Sequence, residues 1–189
     1  MNHTDHVRLL RPAALTPGGT WADLGAGSGA FTLALRELIG AQAVIYAVDR
    51  DRSRLDELKH DHQARFGEME TLRILPADFS RAGNASTSLA QRLPALDGVV
   101  MANSLHFFRD KERILRQVRT FLKPGGMLLL VEYNVDNGNM WVPHPLTFES
   151  FRTLAPRCGF SEPRLLAQHP SSFLREFYSA QCLAQPGSI

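Results

Sequence analysis

Residues 21–31 read WADLGAGSGAF, with Gly25, Gly27 and Gly29 at alternate positions behind an apolar start and an acid, Asp23. Glycine weakens strand and helix alike, so three in five residues mark a place where bare backbone is needed. Before them, Thr20–Leu24 reads as a short strand that follows a Thr-Pro-Gly-Gly turn. After them, Phe31, Ala34, Leu35, Leu38 and Ile39 recur at helical spacing until Gly40 stops the run. The glycines thus stand where a strand hands over to a helix, which lets a ligand come close to the backbone.

The same alternation continues outward. Ala43–Val48 is a nearly all-apolar run, as in a strand covered on both faces. Asp51 or Ser53 caps a helix carrying Leu55, Leu58 and Phe66; Leu72–Leu75 and Gly98–Ala102 are further strands. Asp110 caps a helix with Ile114, Leu115, Val118, Phe121 and Leu122 on one side. Lys123-Pro124-Gly125-Gly126 then makes a tight turn into a strand over Met127–Val131. Strands alternating with helices predict a parallel sheet with helices on both faces. The end differs: a helix from Thr147 is expected to break or kink at Pro156. Two β-like runs follow, Pro163–Gln168 and Phe173–Leu183, and four residues between them cannot hold a crossover helix. This pair is predicted to be an antiparallel hairpin. The polar stretch 80–88 reads as a loop.

Length and composition bound the answer. A chain of 189 residues, 44% hydrophobic and 21% charged, has the make-up of one ordinary globular domain. A net charge of +2 is too small to signal a nucleic-acid surface, and blocks such as Arg50–Arg54 fall on a helical pattern. No apolar run reaches the length of a membrane span, and the polar start lacks the apolar core of a signal peptide. Cys158 and Cys182 have neither metal spacing nor a disulfide framework, which suits a reducing cytoplasm.

Asp49 ends the second strand, twenty residues beyond Gly29. A carboxylate there accepts from both hydroxyls of a ribose. Gly25 to Ala30 also satisfies the dinucleotide fingerprint G-x-G-x-x-G/A, so a nicotinamide dinucleotide is the rival reading. Three features weigh against it. Asp23, two residues before the first glycine, would repel a pyrophosphate and suits an ammonium or sulfonium. The third strand ends in Pro76-Ala77-Asp78-Phe79, an acceptor and a flat ring that suit an adenine. No room remains after residue 150 for a separate substrate domain. The ligand implied has an adenine, a ribose and a cationic amino-acid tail.

These segments, with the LDGVVMANSLHFF run at 96–108 and LKPGGMLLLVEYN at 122–134, resemble the successive motifs of the class I, seven-strand S-adenosylmethionine-dependent methyltransferases. The resemblance spans residues 18 to 185. It implies an α/β fold, a three-layer Rossmann-like sandwich whose mostly parallel seven-stranded sheet ends in an antiparallel C-terminal hairpin. It also implies a single domain over 1–189, with 1–17 as a short lead-in and 18–185 as the catalytic core. By position, Asp23 lies near the methionyl amino group of S-adenosyl-L-methionine, and Gly25, Ala26, Gly27 and Gly29 pack against the cofactor. Asp49 binds the ribose hydroxyls, Arg50 covers an adenine face, Ala77, Asp78 and Phe79 meet the adenine, and Ala102 and Asn103 pass under the methionine portion. The chain departs from commoner small-molecule members in its short N-terminal region and in Pro156, both on the acceptor side.

Other readings stand beside these. Asp23 can cap the turn that follows it, Asp49 the helix after it, and Asp78 can simply form a turn. His106, three residues after Asn103, is either a solvated loop histidine or a base turned towards the transferring methyl. Tyr133, Asn134, Trp141 and His144 line an acceptor pocket beneath the 134–146 loop, or Trp141 merely pins that loop. His3, His6, His60 and His62 form no convergent set, so no metal is expected. The leading reading is in-line methyl transfer to a small-molecule acceptor, with no membrane partner and an oligomeric state the chain does not disclose. An RNA methyltransferase is disfavoured because the fourth strand ends in Ala-Asn-Ser-Leu-His; a non-catalytic binding subunit of the same fold is the other alternative.

Overall fold

The structure is a computed structural model that describes residues 1–67, 70–81 and 89–186; the loop expected over 80–88 lies outside them from residue 82 onward. Seven strands form one sheet: β1 Thr20–Leu24, β2 Val44–Asp49, β3 Leu72–Pro76, β4 Leu96–Ala102, β5 Leu122–Tyr133, β6 Arg164–Pro170 and β7 Glu176–Leu183. Their order is β3-β2-β1-β4-β5-β7-β6. Pairing is parallel from β3 to β5, and β7 runs antiparallel to both β5 and β6. The helices are α1 His3–Leu10, α2 Ala30–Ile39, α3 Arg52–Phe66, α4 Leu89–Arg92, α5 Lys111–Phe121 and α6 Phe148–Arg157.

The three layers follow from a period of two. In β4, Val99 and Met101 join the core beneath α5 and α6, whereas Val100 and Ala102 face the core beneath α1 and α2. Leu128 and Leu130 of β5 split from Leu129 and Val131 in the same way, as side chains on a pleated strand must. Across β1 and β4, Trp21 lies opposite Gly98, and a Cβ on Gly98 would stand 2.1 Å from the Trp21 ring. The indole therefore occupies the space of the missing side chain.

Helix starts match their caps. Asp51 accepts from Ser53 and Arg54 backbone N–H, Asp110 from Arg113, and Thr147 from Ser150. Three expectations need correction. The helix from Thr147 is not broken at Pro156 but runs to Arg157, because a proline in the last turn removes only one terminal hydrogen bond. Lys123–Gly126 is not a turn before a strand but a bulge within β5. Pairing to β4 steps from Leu96↔Leu122 to Gly98↔Met127, and the bulge is pinned by Gly125 N–H donating to the Ala184 carbonyl at 2.8 Å. The hairpin loop is 171–175, closed by Ser171 N–H to the Arg175 carbonyl.

The lead-in is also more than a lead-in. Asn2 and Asp5 form a reciprocal capping box, Asn2 Oδ1 accepting from Asp5 N–H at 3.0 Å and Asp5 Oδ2 from Asn2 N–H at 2.9 Å. That starts α1, whose Val7, Leu9 and Leu10 are buried against α2 and the sheet.

One buried cation marks the packing of α2 on α3. Arg36 donates from Nε to His62 Nε2 at 3.2 Å and from Nη1 to the carbonyls of Gly40 and Ala43. Burial, with the Arg36 charge beside it, pushes the His62 imidazole down to about 4. A base depressed by folding contributes stability that is present above its unfolded pKa, about 6.5, and is lost as pH falls towards 4. Urea denaturation from pH 7 to pH 4 should therefore show the wild type losing stability relative to His62→Gln, with the difference appearing below about pH 6.5.

Candidate active site

The order of strands reverses at β1, which has β2 on one side and β4 on the other. Chains leaving β1 and β4 at their carboxyl ends diverge there, and such a crevice is where open α/β sheets bind ligands. A cavity of about 710 Å³ opens at this point.

Its floor is the glycine loop. Gly25 has φ +85°, and a Cβ there would come 2.6 Å from Ser104 Cβ, so the loops after β1 and β4 touch at these residues. Gly27, with φ +53°, faces open space and donates its N–H to Asp49 Oδ2 at 2.9 Å. Gly29 is different. It does not line the cavity; a Cβ on it would lie 2.4 Å from Leu58 Cγ, so it lets α2 pack on α3.

Asp23 is 1% exposed at the cavity wall, its Oδ2 accepting from Thr32 Oγ1 at 2.6 Å. Burial raises its carboxyl to about 7, helped by the charge of Asp49 and resisted by Thr32. Asp49 accepts Gly27 N–H on one oxygen and Asp51 N–H on the other; it ties loops together, while Asp51 caps α3. Each of its oxygens keeps a second lone pair. Ala77, Asp78, Phe79 and Arg50 line the cavity as well. Asp78 Oδ1 binds Ser80 N–H and Oγ and its Oδ2 faces Arg81 at 3.2 Å, so these donors outweigh burial and hold the carboxyl below its usual range. The Phe79 ring meets Phe108 edge-on at 5.4 Å.

At the end of β4, Ala102 and Asn103 line the cavity, with Asn103 at φ +51°. Asn103 Oδ1 and Ser104 Oγ are buried without a hydrogen-bond partner among the described residues. Orphaned polar atoms facing a cavity are what a polar ligand satisfies. A nucleoside with a zwitterionic tail suits this set: carboxylates at both ends, bare backbone between, and two orphan oxygens beneath.

The acceptor-side residues lie elsewhere. His106 is neither solvated nor on the cavity wall. It is buried, with Nδ1 2.7 Å from Glu132 Oε2, while Glu132 Oε1 accepts the backbone N–H of Leu105 and His106. Tyr133 packs between the rings of Phe177 and Phe173. Asn134 spends its amide on Glu176 and on Phe148 N–H, joining β5, β7 and α6. Trp141 is 68% exposed, and His144 N–H donates to the His106 carbonyl. None of these four lines the cavity. That wall instead holds His6 and Phe31, from α1 and α2, and Phe107. The sequence pattern gives His6 no role; the signal for its position is the Asn2–Asp5 capping pair that starts the helix carrying it.

A family model described as a methyltransferase domain matches residues 22–128. The chain belongs to this family. Its fold and motifs are those of the class I S-adenosylmethionine-dependent methyltransferases. It is 30% identical over 183 residues to an arsenite methyltransferase of Aquipseudomonas alcaligenes, covering 87% of this chain and 50% of that protein. It is 29% identical over 180 residues to the acetylserotonin O-methyltransferase of Mus musculus, covering 84% and 43%. The chain thus spans half or less of the length of these curated relatives. Among solved structures, the arsenic(III) S-adenosylmethionine methyltransferase of Chlamydomonas reinhardtii superposes with a TM-score of 0.69 at 21% identity, over 92% of this chain and 66% of that one. Among the described residues, no helix of this methyltransferase-family chain is long and apolar enough to cross a membrane.

Glu132 satisfies two backbone donors and an imidazole in a site closed to water. Glu132→Ala should therefore cost roughly 3–5 kcal/mol in chemical denaturation.

Proposed function

We propose that this chain transfers a methyl group from S-adenosylmethionine to a small organic acceptor. The observation that carries the reading is Asp23, a buried carboxyl on the cavity wall that the fold raises to about 7 and, among the described residues, pairs with no cation. A methionyl ammonium supplies that cation. Asp49 takes the ribose hydroxyls on its remaining lone pairs, and Phe79, Asp78, Ala77 and Arg50 surround the adenine. Gly25, Ala26 and Gly27 admit the ligand to the backbone, and Ala102, Asn103 and Ser104 lie under its amino-acid portion. When bound, S-adenosylmethionine supplies an electrophilic methyl carbon on a sulfonium sulfur. The chain's own contribution is to hold that carbon and an acceptor in line and to exclude water, where pre-organisation is worth about 7–11 kcal/mol.

The arsenite-methylating relative raises a second acceptor class. Arsenite is thiophilic and calls for thiolate ligands. Cys158 and Cys182 are both buried in the core, and burial raises both thiols. Neither lines the cavity. This favours an organic acceptor.

Two measurements test the reading. Because an ammonium lowers the Asp23 carboxyl from about 7, S-adenosylhomocysteine binding should release a proton near neutrality. Affinity should rise with pH up to about 7 and then level, and Asp23→Asn should abolish both effects. Calorimetry in buffers of different ionisation enthalpy reads this directly; uptake or no exchange of protons counts against the assignment. Asp49→Ala should weaken S-adenosylhomocysteine binding by about 1.5–3 kcal/mol, and an unchanged affinity would leave Asp49 a purely structural tie.

A further inference from the structure

Methyl transfer to a neutral hydroxyl or to an amine that arrives as its ammonium must also dispose of a proton, and the cavity's carboxylates are already engaged. Asp23 accepts from Thr32 and, in the reading above, from the methionyl ammonium, and Asp49 is held by the Gly27 and Asp51 backbone. Asp51 is held by Ser53 and Arg54, and Asp78 by Ser80 and Arg81. His106 is turned away onto Glu132. His6 is the one histidine among the described residues that line the cavity, and neither of its ring nitrogens has a hydrogen bond among them. Its ring is set by the Phe31 ring, 4.8 Å away and tilted 54°. The helix that carries it is anchored by the Asn2–Asp5 capping box and by His3 bonded to Glu37 of α2 at 2.7 Å.

We infer that His6 is the general base of this enzyme and that its acceptor carries the proton on oxygen or nitrogen, an inference that rests on the methyltransferase reading above. In the step, the acceptor oxygen or nitrogen forms its bond to the methyl carbon. The carbon–sulfur bond breaks with its electron pair left on sulfur, and the acceptor's proton passes to a His6 ring nitrogen. The imidazolium then returns the proton to water.

The surroundings keep His6 ready to accept. Burial lowers its pKa, and the Met1 amino group adds to the effect. Of the other groups facing it, His3 on α1 and His169 on β6 lower it further, and Asp5 opposes them. Glu37 on α2 is taken up by His3 and Arg65. The imidazole is therefore neutral at physiological pH, the form that takes a proton.

The test uses the full chain, S-adenosylmethionine with a labelled methyl group, and three probe acceptors: phenol, benzylamine and thiophenol. Thiophenol is anionic at about pH 7.5 and needs no base. His6→Gln should lower turnover of phenol and benzylamine by roughly 10²–10⁴-fold and leave thiophenol within a few-fold of wild type. Wild-type turnover of phenol should rise with pH through the range below about 6.5 and then flatten, and the variant should lack that inflection. By NMR, the His6 imidazole signal, assigned by its loss in His6→Gln, should titrate below the usual histidine range and shift when S-adenosylhomocysteine is added. Equal losses on all three acceptors, unchanged turnover of phenol, or wild-type transfer to thiophenol alone or to none would overturn the role of His6. A wild type that fails to bind S-adenosylhomocysteine at all would instead defeat the methyltransferase reading beneath it.

Discussion

Everything at this site depends on the reversal of strand order at β1. A right-handed crossover from β1 to β2 places α2 on one face, and the chain then returns to β4 on the other edge of β1. The segments leaving β1 and β4 consequently part above the sheet, and the cavity is the space between them. They part only just enough. Gly25 and Ser104 are in such contact that a side chain on the glycine has nowhere to go. The three glycines look alike in sequence but answer three different constraints: approach of one loop to another at Gly25, open backbone at the cavity at Gly27, and helix packing on Leu58 at Gly29.

Two buried carboxylates show how differently the fold can satisfy the same chemical group. Glu132 is enclosed by three donors of its own chain and holds the turn that follows β4. Its requirements are met within the fold, and its effect on the cavity is indirect, through the placing of Asn103, Ser104 and Phe107. Asp23 is as deeply buried but receives one short bond from Thr32, and burial lifts its pKa. Among the described residues no cation offsets its charge. The difference lies in the number of donors supplied, not in depth.

The histidines divide along the same line. His62 and His106 have partners inside the fold, Arg36 and Glu132 respectively, and stabilise the packing of helices and turns. His6 has a ring neighbour and no hydrogen bond among the described residues, and it faces the cavity. That position exists because the first helix folds back on α2 and on β6, so a segment that precedes the first strand supplies a wall of the site.

By itself the sequence determined the alternation of strands and helices, the helix caps, the antiparallel ending and the strand-end residues that line the cavity. Those features are local: period-two apolar runs, an Asp at a helix start, a loop too short for a crossover, and glycines beside an acid at a strand end. Asp23, Gly25, Ala26, Gly27, Asp49, Arg50, Ala77, Asp78, Phe79, Ala102 and Asn103 all reach the cavity because each lies at a strand's carboxyl end or within three residues beyond it. The rest of the cavity was decided only by the tertiary structure. Its walls come from α1, α2 and the turn after β4, far apart in sequence, and nothing in the local pattern says that Asn134 will be consumed by Glu176 and Phe148 or that His106 will turn onto Glu132. Which of two histidines reaches the cavity is set by long-range packing, since a buried acid on a neighbouring strand captures one imidazole and a docked helix presents the other.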